Sequence, residues 1–272
     1  MKNRLLIVVL LSAAHSFGAA AHPSAEHAVG MISELIQARP EEQGLYIQRG
    51  SAYSNDGQLE RALVDFNKAE TLGEPSRVAF DQGVLHYRMR EFDAARGYFD
   101  TFLKHFPGHP ASLEYRARLL RDAGEYEAAL ADFDAYFAIQ KQPNPGDYVS
   151  AAKMMMGLEG RGVGSALAML DKGIARLGVI PQLQQYAIEL ELERKNIARA
   201  IDRLETLEPA LGESPEWKVE MGELLLLAGR PADAQQFFDE ALAQLATLRR
   251  TVARQRVLEK LQKLQGKTDE QS

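Results

Sequence analysis

Cysteine is absent from the 272-residue sequence. Disulfides therefore contribute nothing to its stability, and a lipid anchor on an N-terminal cysteine is excluded. Beyond the N-terminal segment, no apolar run approaches the roughly 20 residues that a membrane-spanning helix needs. Basic residues are outnumbered by acidic ones, 32 against 38, and this balance argues against nucleic acid as a partner. Together these absences favour a soluble mature protein with no integral membrane segment.

Groups that carry out catalysis are missing as well. The sequence offers no thiol, no serine elbow and no paired carboxylates whose neighbours would push their pKa values apart. We therefore expect a non-enzymatic protein with no catalytic residues, no cofactor and no metal ligands.

The first 21 residues have the pattern of a secretory signal peptide. Lys2 and Arg4 form a charged start, residues 5–11 an apolar stretch, and residues 19–21 are small, as is typical of a cleavage region. A membrane anchor is disfavoured because polar residues interrupt the apolar run. The pattern predicts cleavage near Ala21 and an exported protein that is periplasmic or secreted.

What the sequence does contain is a regular period. Seven alanines recur at intervals of 33 to 37 residues, at Ala28, Ala62, Ala95, Ala129, Ala166, Ala200 and Ala234. A large apolar residue follows each alanine by four positions, so the two side chains share one helix face. Within each interval, apolar residues recur at helical spacing in two stretches that a turn signal separates. A period of this length predicts an array of helical hairpins.

The first two complete hairpins carry a specific pattern of small, aromatic and alanine positions. It comprises Gly50, Tyr53, Gly57, Ala62, Phe66 and Ala69 in the first hairpin, and Gly83, Phe92, Ala95, Phe99 and Pro107 in the second. This pattern resembles the signature of tetratricopeptide repeats, and the likeness extends over roughly residues 24–243. The resemblance implies an all-α, right-handed α-solenoid of helix-turn-helix repeats, which presents surface for binding.

The seven regularly spaced alanines, called the alanine ladder below, divide the chain into segments. The predicted segments are a signal peptide at 1–21, an N-terminal half-repeat or capping helix at 22–42, repeat 1 at 43–75, repeat 2 at 76–109, repeat 3 at 110–144, a degenerate repeat 4 with a glycine-rich insertion at 145–180, a degenerate repeat 5 at 181–214, repeat 6 at 215–248, a capping helix at 249–265 and a disordered tail at 266–272. Repeat 5 is degenerate because Glu191 and Lys195 stand where the signature has tyrosine and glycine. After Ala241 the apolar spacing continues through Leu264, and we interpret it as a long last helix that closes the array.

In tetratricopeptide arrays the concave face is lined by the first helix of each hairpin, and partner segments lie there. Carried onto this sequence, the groove has partner-binding residues at Arg77, Phe80, Val84, Tyr87, Arg88, Tyr115, Arg118 and Arg121. Arginines beside aromatic residues suit carboxylates and hot-spot contacts. We expect the apolar side chains to bury a partner segment and the arginines to orient it. The rival interpretation is an ordinary solvated helix face.

Two loops offer alternative sites. Four glycines between residues 157 and 164 precede a helix, and a helix N-terminus behind glycines can bind phosphate. No Gly-Lys-Ser/Thr follows them, so an insertion in repeat 4 is the simpler interpretation. His105 and His109 flank a proline turn at a spacing that could ligate a metal. Either site would belong to a hydrolase.

The last helix concentrates basic residues. They are Arg249, Arg250, Arg254, Arg256, Lys260, Lys263 and Lys267. On an acidic protein this patch could give a weak contact with an anionic membrane surface or an acidic partner. A capping helix needs a charged outer face in any case.

These patterns predict a non-enzymatic interaction scaffold or adaptor in the cell envelope, in the periplasm, that binds an unidentified protein or peptide in its groove. A component of polysaccharide export or assembly machinery is the alternative within the binding class. A metal- or nucleotide-dependent hydrolase is the alternative from another class.

Overall fold

The computed structural model describes the backbone of residues 23–271 and the side chains of residues 26–266. This part of the chain folds into fifteen helices and contains no strand. The prediction of an all-α fold of helix-turn-helix repeats is confirmed. Of the helices that the structure describes, none is both long and apolar enough to cross a bilayer. The predicted signal peptide at 1–21 lies outside the described residues.

The helices follow one another as six hairpins, and in each the first helix is called helix A and the second helix B. α1 is Pro23–Ala38 and precedes the hairpins. The A and B helices are Gln43–Asn55 (α2) with Leu59–Leu72 (α3), Ser76–Arg88 (α4) with Phe92–His105 (α5), Pro110–Asp122 (α6) with Tyr126–Ile139 (α7), Pro145–Gly157 (α8) with Val163–Leu177 (α9), Pro181–Glu193 (α10) with Ile197–Glu205 (α11), and, after the short helix Glu208–Leu211 (α12), Pro215–Leu227 (α13) with Pro231–Thr247 (α14). Val252–Gln271 (α15) follows them. The chain divides into two compact units, Met1–Pro107 with α1 to α5 and Gly108–Ser272 with α6 to α15.

In three hairpins, contact between helix A and helix B depends on a glycine of helix A that faces an aromatic ring of helix B. A Cβ atom built on Gly50 would lie 2.5 Å from the ring of Phe66, and one built on Gly83 would lie 2.7 Å from the ring of Phe99. The sixth hairpin has the same arrangement. The small residue lets the two helices approach, and the ring fills the remaining space between them.

The fourth hairpin exchanges these roles. Here the ring belongs to helix A and the glycine to helix B, because a Cβ atom on Gly173 would lie 2.8 Å from the ring of Tyr148. The ring of Tyr148 also stacks on Phe137 of α7, with centroids 4.0 Å apart and planes at 4°. The degenerate repeat thus keeps the close contact with a different pair of residues.

The turn between helices A and B has one geometry in five of the six hairpins. Its middle residue has a positive φ, at Gly57 (80°), Arg90 (63°), Gly124 (80°), Lys195 (58°) and Gly229 (71°). A residue other than glycine is uncommon in this left-handed region. Lys195 therefore keeps the turn of the fifth hairpin although the signature glycine is missing.

The turn of the fourth hairpin is longer. Residues 158–162 connect α8 to α9, five residues where the other hairpins have three. Gly160 and Gly162 have positive φ values of 77° and 79°. The glycine-rich stretch of the sequence lies in this turn.

An arginine–aspartate ion pair also joins helix A to helix B in the first and third hairpins. Arg49 donates two hydrogen bonds of 2.7 Å to Asp65, sixteen residues later. Arg116 and Asp132 repeat the pair in the same register. The side chain of Asp65 is only 4% exposed, so its charge depends on the arginine for compensation.

The end of the chain differs from the sequence interpretation of one long last helix. Residues 248–251 separate α14 from α15, and Leu248 is extended at φ −90° and ψ 148°. The hydroxyl of Thr251 accepts from the backbone N–H of Arg254, whose side chain donates to the carbonyl of Arg249. These bonds satisfy the backbone N–H of Arg254 at the start of α15 and the carbonyl of Arg249 in the turn. The helix is therefore interrupted between α14 and α15, although the apolar spacing of the sequence continues.

α15 continues to Gln271, into the segment 266–272 that was expected to be a disordered tail. Residue 272 lies outside the described part. Gly266 costs about 1 kcal/mol in a helix interior, and with no proline beside it this cost alone does not end the helix.

We expect Gly83→Ala to destabilise the protein. Alanine is about 1 kcal/mol better than glycine in a helix interior, but the added methyl group would lie 2.7 Å from the ring of Phe99, and overpacking costs about 1–3 kcal/mol. The matched control is Gly97→Ala in α5, where nothing lies within 4 Å of the new methyl group. Urea unfolding should show a loss of stability for the first variant and a gain for the second. Equal gains would contradict the packing described.

Candidate partner-binding surfaces

The eight residues that the sequence analysis placed in a groove all lie on helices A. Arg77, Phe80, Val84, Tyr87 and Arg88 are on α4 in the first unit, and Tyr115, Arg118 and Arg121 are on α6 in the second. Tyr115 is partly buried. The two groups differ in how their arginines are engaged.

On α4, Arg77, Val84 and Arg88 share one helix face. Both arginines are exposed, and Val84 is partly buried. Asp81 on the same face accepts a hydrogen bond of 2.9 Å from Ser51 of α2, and burial raises the pKa of its carboxyl group. The face therefore combines two accessible cations with an apolar side chain, while its carboxylate is bound to the neighbouring helix.

Arg88 also ties α4 to α2. Its Nη1 atom donates to the carbonyl oxygen of Ser54 and lies 3.0 Å from the hydroxyl oxygen of the same residue. Ser54 belongs to the last turn of α2, where carbonyl groups have no partner within the helix. Arg88 thus helps to terminate α2 and still reaches the surface.

Phe80 and Tyr87 pack against helix B of their own hairpin. The ring centroid of Phe80 lies 6.3 Å from that of Phe99 and 5.6 Å from that of Phe102. Tyr87 lies 5.9 Å from Phe92. Both rings are partly buried. Each ring packs against α5 with one part and adds its exposed part to the surface of α4.

On α6, Arg118 is enclosed by two carboxylates. Its Nη2 atom lies 2.6 Å from Oε1 of Glu114 and 3.0 Å from Oδ1 of Asp147 in α8. Arg121 donates to the hydroxyl of Ser150 in α8 over 3.3 Å. Both arginines therefore join α6 to α8, a role that the sequence analysis did not assign to them.

Burial dominates the electrostatics of this contact. Desolvation raises the pKa of Asp147 and that of Glu114, although Arg118 lies beside both. The side chain of Asp147 is 3% exposed, and its Oδ2 atom is buried without a hydrogen-bond partner. A charged carboxylate costs free energy in this position, and Arg118 offsets part of that cost.

In the second unit, polar contacts also join α13 to α10 and to α15. Gln185 of α10 donates to Glu220 of α13 over 2.7 Å, and Lys260 of α15 lies 2.5 Å from Glu223 of α13. These contacts were not predicted from the sequence. The signal that could have found them is a pair of complementary side chains about one repeat apart, here at separations of 35 and 37 residues.

The residues of the two alternative sites, the histidine pair and the glycine-rich turn, have structural roles. His109 is the N-cap of α6, where its Nδ1 atom accepts from the backbone N–H of Ser112 at 3.3 Å. Gly160 and Gly162 form the longer turn of the fourth hairpin. Across the side chains that the structure describes, no group of three or more His, Cys, Asp or Glu residues is placed to hold a metal ion.

Asp147→Asn should change the pH dependence of stability. Because burial raises the pKa of Asp147 in the folded state, the native carboxyl group holds its proton more tightly than the unfolded chain does. Stability is then lost as pH rises from the unfolded pKa through the folded pKa. The free energy of unfolding of the wild type minus that of the variant should therefore increase as pH falls from about 7 to about 4. Urea titrations over this range measure the difference, and a constant or decreasing value would contradict the expectation.

Residues 80–144 match the family model of the tetratricopeptide repeat. No curated protein matches the sequence. The C-terminal part of a TPR repeat-containing protein from Cytophaga hutchinsonii has a similar structure, with a TM-score of 0.67 at 11% identity over 88% of this chain and 95% of that chain. A tetratricopeptide repeat protein from Parabacteroides merdae gives 0.53 at 17% identity over 88% and 92%. PilF of Pseudomonas aeruginosa gives 0.53 at 15% identity over 85% and 99%.

At these identities the solved structures establish the fold and nothing more. The family match adds the repeat type over residues 80–144, and the alanine ladder with its glycine–aromatic pairs has the same register on both sides of that segment. Residues 80–144 are therefore a tetratricopeptide-repeat segment, and the chain on both sides of it has the same helical-repeat fold.

Proposed function

We propose that this protein is a non-catalytic scaffold that binds a segment of a partner protein on the exposed faces of its helices A. The observation that carries the proposal is the α4 face, where exposed Arg77 and Arg88 flank the partly buried Val84. Repeat arrays of this kind use such extended surfaces for binding.

The chemistry of the α4 face suits a partner segment with an apolar side chain beside acidic ones. Val84 and the partly buried rings of Phe80 and Tyr87 supply apolar contact. The guanidinium groups of Arg77 and Arg88 can bind carboxylates through paired hydrogen bonds. An apolar centre with a charged rim is the usual arrangement of a protein-binding hot spot.

The residues of α6 contribute in another way. Tyr115 offers contact surface, whereas Arg118 and Arg121 hold α6 against α8. A partner carboxylate could reach the charge of Arg118 only by competing with Glu114 and Asp147. We therefore assign these two arginines the task of fixing the α6 surface within the second unit, and the arginines of α4, in the first unit, the task of attracting the partner.

The proposal also includes a location, the periplasm. Its support is the order of charged, apolar and small residues in the predicted signal peptide at 1–21. Deletion of residues 2–21 should retain the protein in the cytoplasmic fraction, whereas the full chain should appear in the periplasmic fraction at the reduced mass of the cleaved protein. Equal distribution of the two forms would contradict export.

Removing the apolar contact and reversing the charge on α4 should abolish partner binding. In Arg77→Glu/Val84→Glu the surface would repel an acidic segment and lose its central side chain. We expect at least about tenfold weaker binding, or about 1.4 kcal/mol. The partner is first captured from envelope extract on the immobilised wild type, and its dissociation constants for wild type and variant are then measured by calorimetry with purified components.

The matched control makes the same two exchanges on a helix B. Arg61→Glu/Val64→Glu alters two exposed residues of α3 and should bind like the wild type. Circular dichroism confirms that both variants are folded. Equal binding by the two variants would place the site elsewhere, and a wild type that retains no protein would contradict the scaffold itself.

A further inference from the structure

The first helix carries an apolar stripe that is open to solvent. Met31 is 56% exposed and Leu35 is 41% exposed. The two residues are four apart on α1, so their side chains are neighbours on one helix face. Adjoining apolar side chains on a surface mark an interaction site more often than scattered ones do.

The register of the alanine ladder explains why this exposure is unusual. Leu35 stands seven residues after the ladder alanine of α1, which is itself only partly buried. In four other repeats the residue at the same position is buried, with exposures of 0% for Ala69, 2% for Tyr136, 1% for Leu207 and 0% for Ala241, and in α5 Phe102 is partly buried. Sequence position alone would therefore place Leu35 in a core.

In the hairpins, this side of helix B faces its own helix A. Gln43 of α2 donates to the carbonyl of Ala69 over 3.1 Å. Arg49 of α2 pairs with Asp65, which has the register position of Met31. α1 contacts α2, as a helix B contacts the next helix A, but within residues 23–271 no helix A precedes it. The face that a helix A would cover is left open.

A second open apolar surface lies between α14 and α15. It is a groove of about 340 Å³ whose floor includes Leu242, Leu245 and Leu248. This volume is at the lower end of the range for pockets that hold a ligand. Leu242 is 39% exposed, so the floor can be reached from solvent. The groove exists because the chain turns at residues 248–251.

The two surfaces have opposite charge. Arg249, Arg250 and Arg254 line the groove, and residues 249–263 carry six basic residues and one acidic residue. α1 carries two glutamates, Glu26 and Glu34, and no lysine or arginine. Complementary charge of this kind accelerates association and selects the partner.

We propose that α1 of one copy docks into the α14–α15 groove of a second copy of this chain. It would bind as an amphipathic helix lays its apolar face into a groove, with Met31 and Leu35 on the leucine floor and Glu34 near the arginine rim. Because the two surfaces are different, the contact is heterologous, and copies add in series or close into a ring. This self-association goes beyond partner binding and uses no residue of the α4 face.

Two variants test the two surfaces of the contact separately. Met31→Gln/Leu35→Gln removes the apolar stripe and leaves the groove, whereas Arg249→Glu/Arg250→Glu reverses the rim and leaves α1. In sedimentation equilibrium at up to about 100 µM, a range that covers micromolar dissociation constants, the apparent mass of the wild type should rise with concentration and fall again with added salt. Each variant alone should remain at the mass of one chain.

The decisive sample is the equimolar mixture of the two variants. Each supplies the surface that the other lacks, so the mixture should form a dimer of twice the single-chain mass and grow no further. The control Val64→Gln/Val179→Gln exchanges two other exposed apolar residues and should associate like the wild type. A monomeric wild type, a monomeric mixture, or association that both variants retain would overturn the proposal.

The basic groove could instead meet a membrane, and the same variants test that outcome. Sedimentation with vesicles of phosphatidylglycerol and phosphatidylcholine reports binding to anionic lipid. Vesicle binding that Arg249→Glu/Arg250→Glu abolishes, combined with a monomeric wild type, would replace self-association by lipid contact.

Discussion

The rest of the structure depends on one constraint, the close approach of helix A and helix B. This approach requires a small residue beneath an aromatic ring. Gly83 beneath Phe99 illustrates it, because even one methyl group on the glycine would enter the ring. The fourth hairpin meets the same constraint with the roles exchanged, through Tyr148 and Gly173. The contact itself is therefore present in the first, second, fourth and sixth hairpins, while the residues that make it change.

Once helix B is held against helix A, the polar residues of neighbouring helices A are brought within reach of each other. Ser51 binds Asp81 across α2 and α4, and Arg118 binds Asp147 across α6 and α8. Both carboxylates are buried enough that their pKa values are raised. These ties cost desolvation free energy, so their contribution to stability is small. They determine which side chains of helix A remain available to a partner, and on α4 these are Arg77, Val84, part of Arg88 and the exposed parts of Phe80 and Tyr87.

Much of the fold could be predicted from the sequence, because one residue in each repeat reports its register. A ladder alanine four residues before a large apolar side chain fixes the inner face of each helix B, and the hairpins follow from it. The repeat period places the end of repeat 6 at residue 248, but the apolar spacing continues through residues 248–251 and does not show the turn, which depends on the hydrogen bonds of Thr251 and Arg254.

The candidate partner-binding surface was harder to predict from the sequence than the fold. The positions on helices A follow from the family pattern, but the engagement of each arginine depends on a side chain about one repeat away. Arg118 meets Asp147 at a separation of 29 residues, whereas Arg77 is exposed. Both are arginines on helices A, so no local signal distinguishes them. Similarly, the exposure of Leu35 depends on which helices surround α1 and is invisible in its own periodicity.

Site-specific photocrosslinking in cells tests partner recognition by the α4 face most directly. A photoreactive amino acid is placed at Val84 of α4 in one strain and at Val64 of α3 in another, and crosslinked proteins are identified by mass spectrometry. Recognition by α4 predicts one partner crosslinked from position 84 and absent from position 64. The same partner crosslinked from both positions, or from position 64 alone, would contradict it.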